Sequence, residues 1–168
     1  DRRRVPRPPD AAPPSVANST ASGDLGAANG TCRPREGTEV ISARESIDLP
    51  GFQHANPIPA ASRKGPFVFS GGFTGRDAAT GELPADLDTQ VANIIGHVRT
   101  LMAEVGGSLD DVMKMTFWLV DFRDRAALNH EWLAAFPDPA SRPARHVVKA
   151  ELDNDLLVQA DIVAVLDD

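Results

Sequence analysis

The sequence contains no tyrosine, one cysteine and two tryptophans, and each scarcity excludes something. With Cys32 as the sole cysteine there is no intrachain disulfide and no multi-cysteine zinc site, which fits a reducing compartment. Aromatic residues make up 5% of the chain, too few for the stacking platforms of single-strand nucleic-acid binding. Acids outnumber Lys and Arg by 24 to 17, and a net charge of −7 argues against a phosphate-backbone partner. No apolar run approaches the roughly 20 residues of a bilayer crossing, so no membrane partner is expected. The basic start Arg2-Arg3-Arg4 leads into Pro and Ala without an apolar segment behind it. No secretory signal is therefore expected, and the expected location is cytoplasmic. His-x-His, His-Glu-x-x-His, a nucleophile elbow and a Gly-Lys-Ser/Thr phosphate loop are all missing, so neither a metal nor an organic cofactor is expected.

What is present suits one domain behind a tail. Hydrophobic residues form 42% of 168 residues, enough for one ordinary core. Residues 1–40 hold 6 of the 14 prolines, with Ser, Asn, Gly and Thr filling most of the gaps. Their six Arg nearly cancel five acids, so the negative charge falls on the rest. This segment has neither helical nor strand period and cannot bury enough apolar area to offset its ordering entropy. Residues 1–43 are expected to be a disordered extension and 44–168 the folded domain. Asn18-Ser19-Thr20 and Asn29-Gly30-Thr31 match the glycosylation pattern, but such matches are common by chance in a tail of this kind. Cys32 reads as an incidental thiol.

The folded part opens with a short strand near Glu45–Leu49, stopped by Pro50-Gly51. Pro66–Ser70 is a β-rich run closed by Gly71-Gly72, and Thr80-Gly81-Glu82 marks a turn. From about Ala85 to Val105, Val91, Ile94, Ile95, Val98, Leu101 and Met102 recur at three- and four-residue steps, which predicts a helix with one apolar face. Asp86 and Asp88 suit its positive end and Gly106-Gly107 its stop. Its His97 falls on the polar side and is expected at the surface. Val112–Val120 predicts a strand with Met113, Met115, Phe117 and Leu119 on one side and Lys114, Thr116 and Trp118 on the other. Asp124 is expected to cap a second helix reaching Phe136, with Ala127, Leu128, Trp132, Leu133 and Phe136 inward. Strands over Arg145–Leu152 and Leu156–Leu166 close the chain around the turn Asp153-Asn154-Asp155. Helices alternating with strands predict an α/β (α+β) domain, a mixed sheet with two helices packed on one face. A domain this small leaves its other sheet face to be covered, and a second subunit is the natural cover.

Four segments, in order and in register, carry a resemblance: Gly65-Pro-Phe-Val-Phe-Ser-Gly-Gly72, Thr80-Gly-Glu-Leu-Pro84, Asp111-Val-Met-Lys-Met-Thr-Phe-Trp-Leu-Val-Asp121 and Arg142-Pro-Ala-Arg145-His-Val-Val148. Over residues 44–166 the chain resembles the RidA/YjgF family of enamine/imine deaminases. The resemblance implies a chorismate-mutase-like fold, a homotrimer with a ligand cleft at each subunit interface, and hydrolysis of 2-imino acids or their enamine tautomers to 2-keto acids and ammonia. The implied partner is a small carboxylate-bearing imine or enamine, and no cofactor is implied.

On spacing alone, Arg145 reads equally as a surface or ion-paired residue. The resemblance makes it the arginine that holds the substrate carboxylate, a task suited to the planar guanidinium fork. Asp161 falls where deaminating members carry a glutamate that positions the hydrolytic water. Its carboxylate is one methylene shorter, and a carboxylate in that place can orient water and move protons. Alternation puts Asp161 on the face of Val163 and Val165, where a structural partner is the competing reading. Ile58 replaces a tyrosine common near the cleft, and Val147 replaces the usual cysteine two residues past the arginine. Gly71 stands where the family has serine; Gly72 and Phe73 follow it, and Asn129 matches a family asparagine beside the cleft. Among the histidines only His54, before the Pro-rich segment Asn56–Ser62, is a site candidate; His146 points away from Arg145 and His130 sits beside Trp132. Two alternatives to deamination remain at this point. One is a trimeric carboxylate-ligand-binding protein with little or no activity; the other is a specialised enzyme for a larger imine or unsaturated acid. Ribonuclease activity, also attached to family names, is disfavoured by the acidic charge and the lack of a His/Lys catalytic pair.

Overall fold

The computed structural model describes residues 43–52, 56–121, 123 and 125–167. Cys32, both glycosylation-pattern matches, His54 and Asp124 lie outside the described residues. Seven strands and two helices follow one another: β1 Glu45–Ile47, β2 Ala61–Lys64, β3 Phe67–Ser70, β4 Phe73–Thr74, α1 Leu87–Glu104, β5 Val112–Leu119, α2 Ala126–Ala135, β6 Ala144–Lys149 and β7 Val158–Val165. The sheet runs β1-β2-β3-β7-β5-β6, with β4 also pairing β7. Only β5 and β6 are parallel, because α2 carries the chain back to the starting end between them; every other pairing is antiparallel. Both helices pack on one face, as the pattern predicts.

The core lies between that face and the helices. In β7, Val158, Ala160, Ile162 and Ala164 are buried while the alternate residues are half-open, the period-2 signature of a sheet covered on one side. Against them α1 sets Val91, Ile94, Val98, Leu101 and Met102. Asp86 caps this helix by accepting a hydrogen bond from the Thr89 amide at 2.8 Å, and Gly106 at φ +80° ends it. α2 adds Leu128 and Trp132, whose ring meets Phe117 edge-on at 6.3 Å.

Three expectations need correction. His97 is 4% exposed, not at the surface: Gln90, Asn93 and His97 form a second stripe beside the apolar one. Their side chains donate to the carbonyls of Pro84, Gly75 and Arg76 at 2.7, 2.9 and 2.7 Å. The stripe pins loop 75–84, and His97 packs edge-on against Phe52, whose ring also meets Phe73. Met113 is 56% exposed because a bulge between Val112 and Lys114 slips the register, so inward alternation starts only at Met115. Leu133 is 51% exposed, since Ala127, Leu128 and Trp132 already fill the narrow contact stripe of α2. That helix begins at Ala126, and its expected cap Asp124 lies outside the described residues.

Candidate functional site

The strand registers decide which side chains can meet. On β6, Arg145 stands opposite Met115, which in turn stands opposite Ile162; these two are buried on the helix face. One residue along, His146 stands opposite Thr116, and Thr116 opposite Asp161. Side chains of neighbouring residues on a strand leave opposite faces, so Arg145 points to the helix face and Asp161 to the open one. Within a single chain the two leading candidates do not meet.

Around Arg145 the helix face supplies a holder. Asn129 and Trp132 sit three apart on α2 and so share one side of it. Arg145 Nη2 donates to Asn129 Oδ1 at 2.9 Å, and the guanidinium carbon lies 5.0 Å from the Trp132 ring centroid. Val147, two residues on, points the same way and packs against the core. No carboxylate of the described residues pairs with Arg145. Its Nη1 is buried with no hydrogen-bond partner among the described residues. Burial holds the Arg145 pKa below its ordinary value, and the nearby positive charge of Arg125 adds to the effect. A guanidinium stays protonated at any physiological pH despite such a shift. One nitrogen is thus held, one ring supports the plane, and one desolvated donor is left for an incoming anion.

The second group lies across the sheet. A cavity of about 430 Å³ on the open face is lined by Ser70, Gly71, Gly72, Gln159, Asp161 and Trp118, with residues 150–152 forming its rim. Ser70 Oγ accepts the Ile162 amide at 2.9 Å, tying the glycine pair to β7 beside Asp161. A Cβ at Gly72 would overlap the Gln159 amide, so only glycine lets that side chain lie against the backbone. The Asp161 carboxylate makes no ion pair or hydrogen bond with the described residues, which removes the structural-partner reading for those residues.

The remaining candidates sit elsewhere. Phe73 is 1% exposed, its ring 5.1 Å from that of Phe52, so its backbone alone can face a ligand. Ile58 is 52% exposed on the loop before β2 and lines a separate cavity of about 420 Å³ with Asp48, Leu49 and Phe52. The sequence reading put Trp132 among core residues and Trp118 on the outer side of its strand without making it a site candidate, and it did not single out Gln159. Their signals were the Asn129–Trp132 spacing and the shared parity of Trp118 with Thr116. Among the described residues no cluster of His, Cys, Asp and Glu could hold a metal, and no helix is long and apolar enough to cross a membrane.

The likeness to known proteins spans the same region. The family model described as Endoribonuclease L-PSP matches residues 52–166. A RutC family protein of Pyrococcus abyssi is 33% identical over 110 residues, 64% of this chain and 85% of the relative. The 2-iminobutanoate/2-iminopropanoate deaminase of Escherichia coli K12 is 29% identical over 103 residues, 60% of this chain and 80% of that protein. Among solved structures, RidA from the Antarctic bacterium Psychrobacter sp. PAMC 21119 superposes with a TM-score of 0.67 at 26% identity, covering 73% of this chain and 99% of that one. The strand order, the helix-covered face and the four sequence segments are therefore those of one lineage, and the chain belongs to the Endoribonuclease L-PSP (RidA/YjgF) family.

Proposed function

We propose that the protein hydrolyses reactive 2-imino acids, or their enamine tautomers, to 2-oxo acids and ammonia at a cleft between two copies of the chain. The observation that carries this reading is the unpartnered, buried Nη1 of Arg145, held in place by Asn129 and Trp132. A small carboxylate satisfies it. Because Arg145 and Asp161 face opposite sides of the sheet, the cleft takes Arg145, Asn129 and Val147 from one copy and Ser70, Gly71, Gly72 and Asp161 from its neighbour. A homotrimer, in which every open sheet face meets another copy, provides such clefts and also covers Phe67 and Phe69, which are 50% and 53% exposed. A reducing, cytoplasmic setting suits the chemistry, since reactive imines arise where amino acids are broken down.

The steps follow from the residue types. Arg145 holds the carboxylate and fixes the imine carbon over the neighbour's Asp161. Asp161 accepts a proton from water as the water oxygen bonds to the imine carbon, then returns it to nitrogen. The C–N bond of the resulting carbinolamine breaks, a hydroxyl proton passes to nitrogen, and ammonia leaves a 2-oxo acid. Backbone amides at Gly71-Gly72 can approach the substrate closely because no Cβ intervenes. The test supplies imines made in situ by an amino-acid oxidase and follows their clearance. A rate no greater than spontaneous hydrolysis, or an Arg145→Ala rate equal to wild type, ends this reading.

A second reading is a carboxylate-ligand-binding protein with little turnover. It draws support from Asp161, which is shorter than the glutamate of deaminating members and is oriented by no hydrogen bond from the described residues. Tight oxo-acid binding without catalysis would favour it.

A further inference from the structure

We infer that Trp118 is the specificity wall of this cleft and selects 2-imino acids with an aromatic side chain. The inference rests on the deaminase reading for its turnover assay but not for its binding assay. Trp118 stands on β5 opposite Gln159 of β7 and Val148 of β6, on the open face and in the same cavity as Asp161. It lies two residues from Thr116, the partner of Asp161, and so about 7 Å along the strand from the water-directing position. The side chain of an imine anchored beside Asp161 reaches that far.

Strand order sets the lining residues in a row: Gly71-Gly72 precede β4 on one side of β7, Gln159 stands on β7 and Trp118 on β5 at its other side, with Ala150 and Leu152 also lining the cavity. From the glycine pair across β7 to β5 is two inter-strand spacings, about 9.6 Å. Aromatic rings prefer centroid separations of about 4.5–7 Å, so a substrate ring beside the indole lands over Gln159 and short of the glycine pair. The absent Cβ of Gly72 leaves room for the Gln159 amide beside the glycine backbone. A volume of about 430 Å³ falls within the usual range for small-molecule sites, and an imine of alanine would leave most of it empty. Two carboxylates, Asp161 and Glu151, and no cation among the lining residues disfavour a second acidic group on the substrate.

The two tryptophans differ in what engages them. Trp132 is buried against Phe117, Phe136 and Arg145. Trp118 is half-buried and makes no ring contact or indole hydrogen bond with the described residues. A large flat side chain left open in a ligand cavity is a recognition surface.

The experiment compares imines generated in situ from phenylalanine and from alanine, using the full chain. In parallel, calorimetry measures binding of the stable products 2-oxo-3-phenylpropanoate and 2-oxopropanoate. Wild type is expected to favour the phenyl compound in both assays. Trp118→Ala is expected to lower kcat/KM for the phenyl imine about tenfold while changing the alanine-derived one less than about threefold; Trp118→Phe restores most of the loss. A wall that only supports the subunit contact would lower both rates by one factor, and that result overturns the inference. If neither imine is hydrolysed, the deaminase reading falls, and the ratio of the two oxo-acid affinities decides: unchanged in Trp118→Ala, it overturns the inference too. Binding of neither oxo acid overturns both. Should Trp118→Ala fail to fold, Trp118→Leu against Trp118→Phe makes the same comparison.

Discussion

Arg145 and Trp132 form a cation–π pair, the guanidinium carbon 5.0 Å from the ring centroid, on a platform that Asn129 completes by accepting one N–H at 2.9 Å. The ring and the amide hold the guanidinium before any ligand arrives, so little rotamer freedom remains to be lost on binding. Arg145→Ala is expected to weaken 2-oxo acid binding on the order of 100-fold, the usual cost of deleting a partly desolvated charged partner. Arg145→Lys keeps the charge but loses the fork, and should recover only part of that. Calorimetric titration with the product oxo acid measures both.

Asp161 has the opposite character: a carboxylate held by nothing among the described residues. Lengthening it by one methylene moves the charge toward the cleft by about 1.5 Å, and displacements of about 1 Å are worth up to a hundredfold in rate. Asp161→Glu is expected to raise kcat for the alanine-derived imine by tenfold or more if the native site is not tuned for it, on the order of that same range. Under the proposed mechanism the Asp161 carboxylate directs water and does not hold the substrate, so Asp161→Asn should abolish turnover while leaving oxo-acid affinity within about threefold. Equal losses in binding and rate would contradict that division of labour.

The buried His97 ties stability to pH. Its Nε2–H donates to the Arg76 carbonyl at 2.7 Å. Burial depresses its pKa below 6.5, against smaller upward pulls from the Arg76 hydrogen bond and the Asp77 charge. The unfolded chain therefore binds a proton more readily than the folded one. The stabilising contribution is present above pH 6.5 and is lost as pH falls through the lower folded-state value. Melting temperature should decline over that acid interval in wild type. In His97→Gln, which can still donate to Arg76 but does not titrate, the His97 part of the decline should vanish.

Gln90 is fully buried and spends both ends of its amide on backbone. Its Nε2 donates to Pro84 at 2.7 Å and Asp155 at 3.2 Å, and its Oε1 accepts from Leu157 at 3.0 Å. Loops 83–85 and 155–157 are thereby joined through one side chain. Gln90→Met keeps the volume but strands those groups, and should cost about 2–4 kcal/mol by denaturant titration. Gln90→Glu, which loses the donor, should be no better.

Much of this was legible in the chain itself. α1 and β5 were plain because long periodic segments average over local exceptions, whereas Arg145 and Asp161 stood out only through the family resemblance. What was hidden depends on relations between elements. Whether His97 meets solvent is decided by loop 75–84 returning across α1, and no helical wheel contains that loop. The bulge after Val112 inverts the parity of Met113 without any glycine to announce it. Parity within β6 and β7 was correct, yet which face each parity occupies follows from the pairing of both strands to β5. Trp118 was placed on the outer face but given no site role for the same reason: its strand partner Gln159, not its neighbours in sequence, sets it beside the glycine pair.

That Arg145 and Asp161 look out from opposite sides of one sheet has a thermodynamic consequence. Under the proposed assembly a lone chain owns half of two sites and all of none, so the catalyst itself obeys mass action. Specific activity should fall on dilution and recover on concentration, while the fold of each chain, read by circular dichroism, stays as it was. Mixing Arg145→Ala chains with Asp161→Asn chains should then rebuild some intact clefts from two inactive proteins.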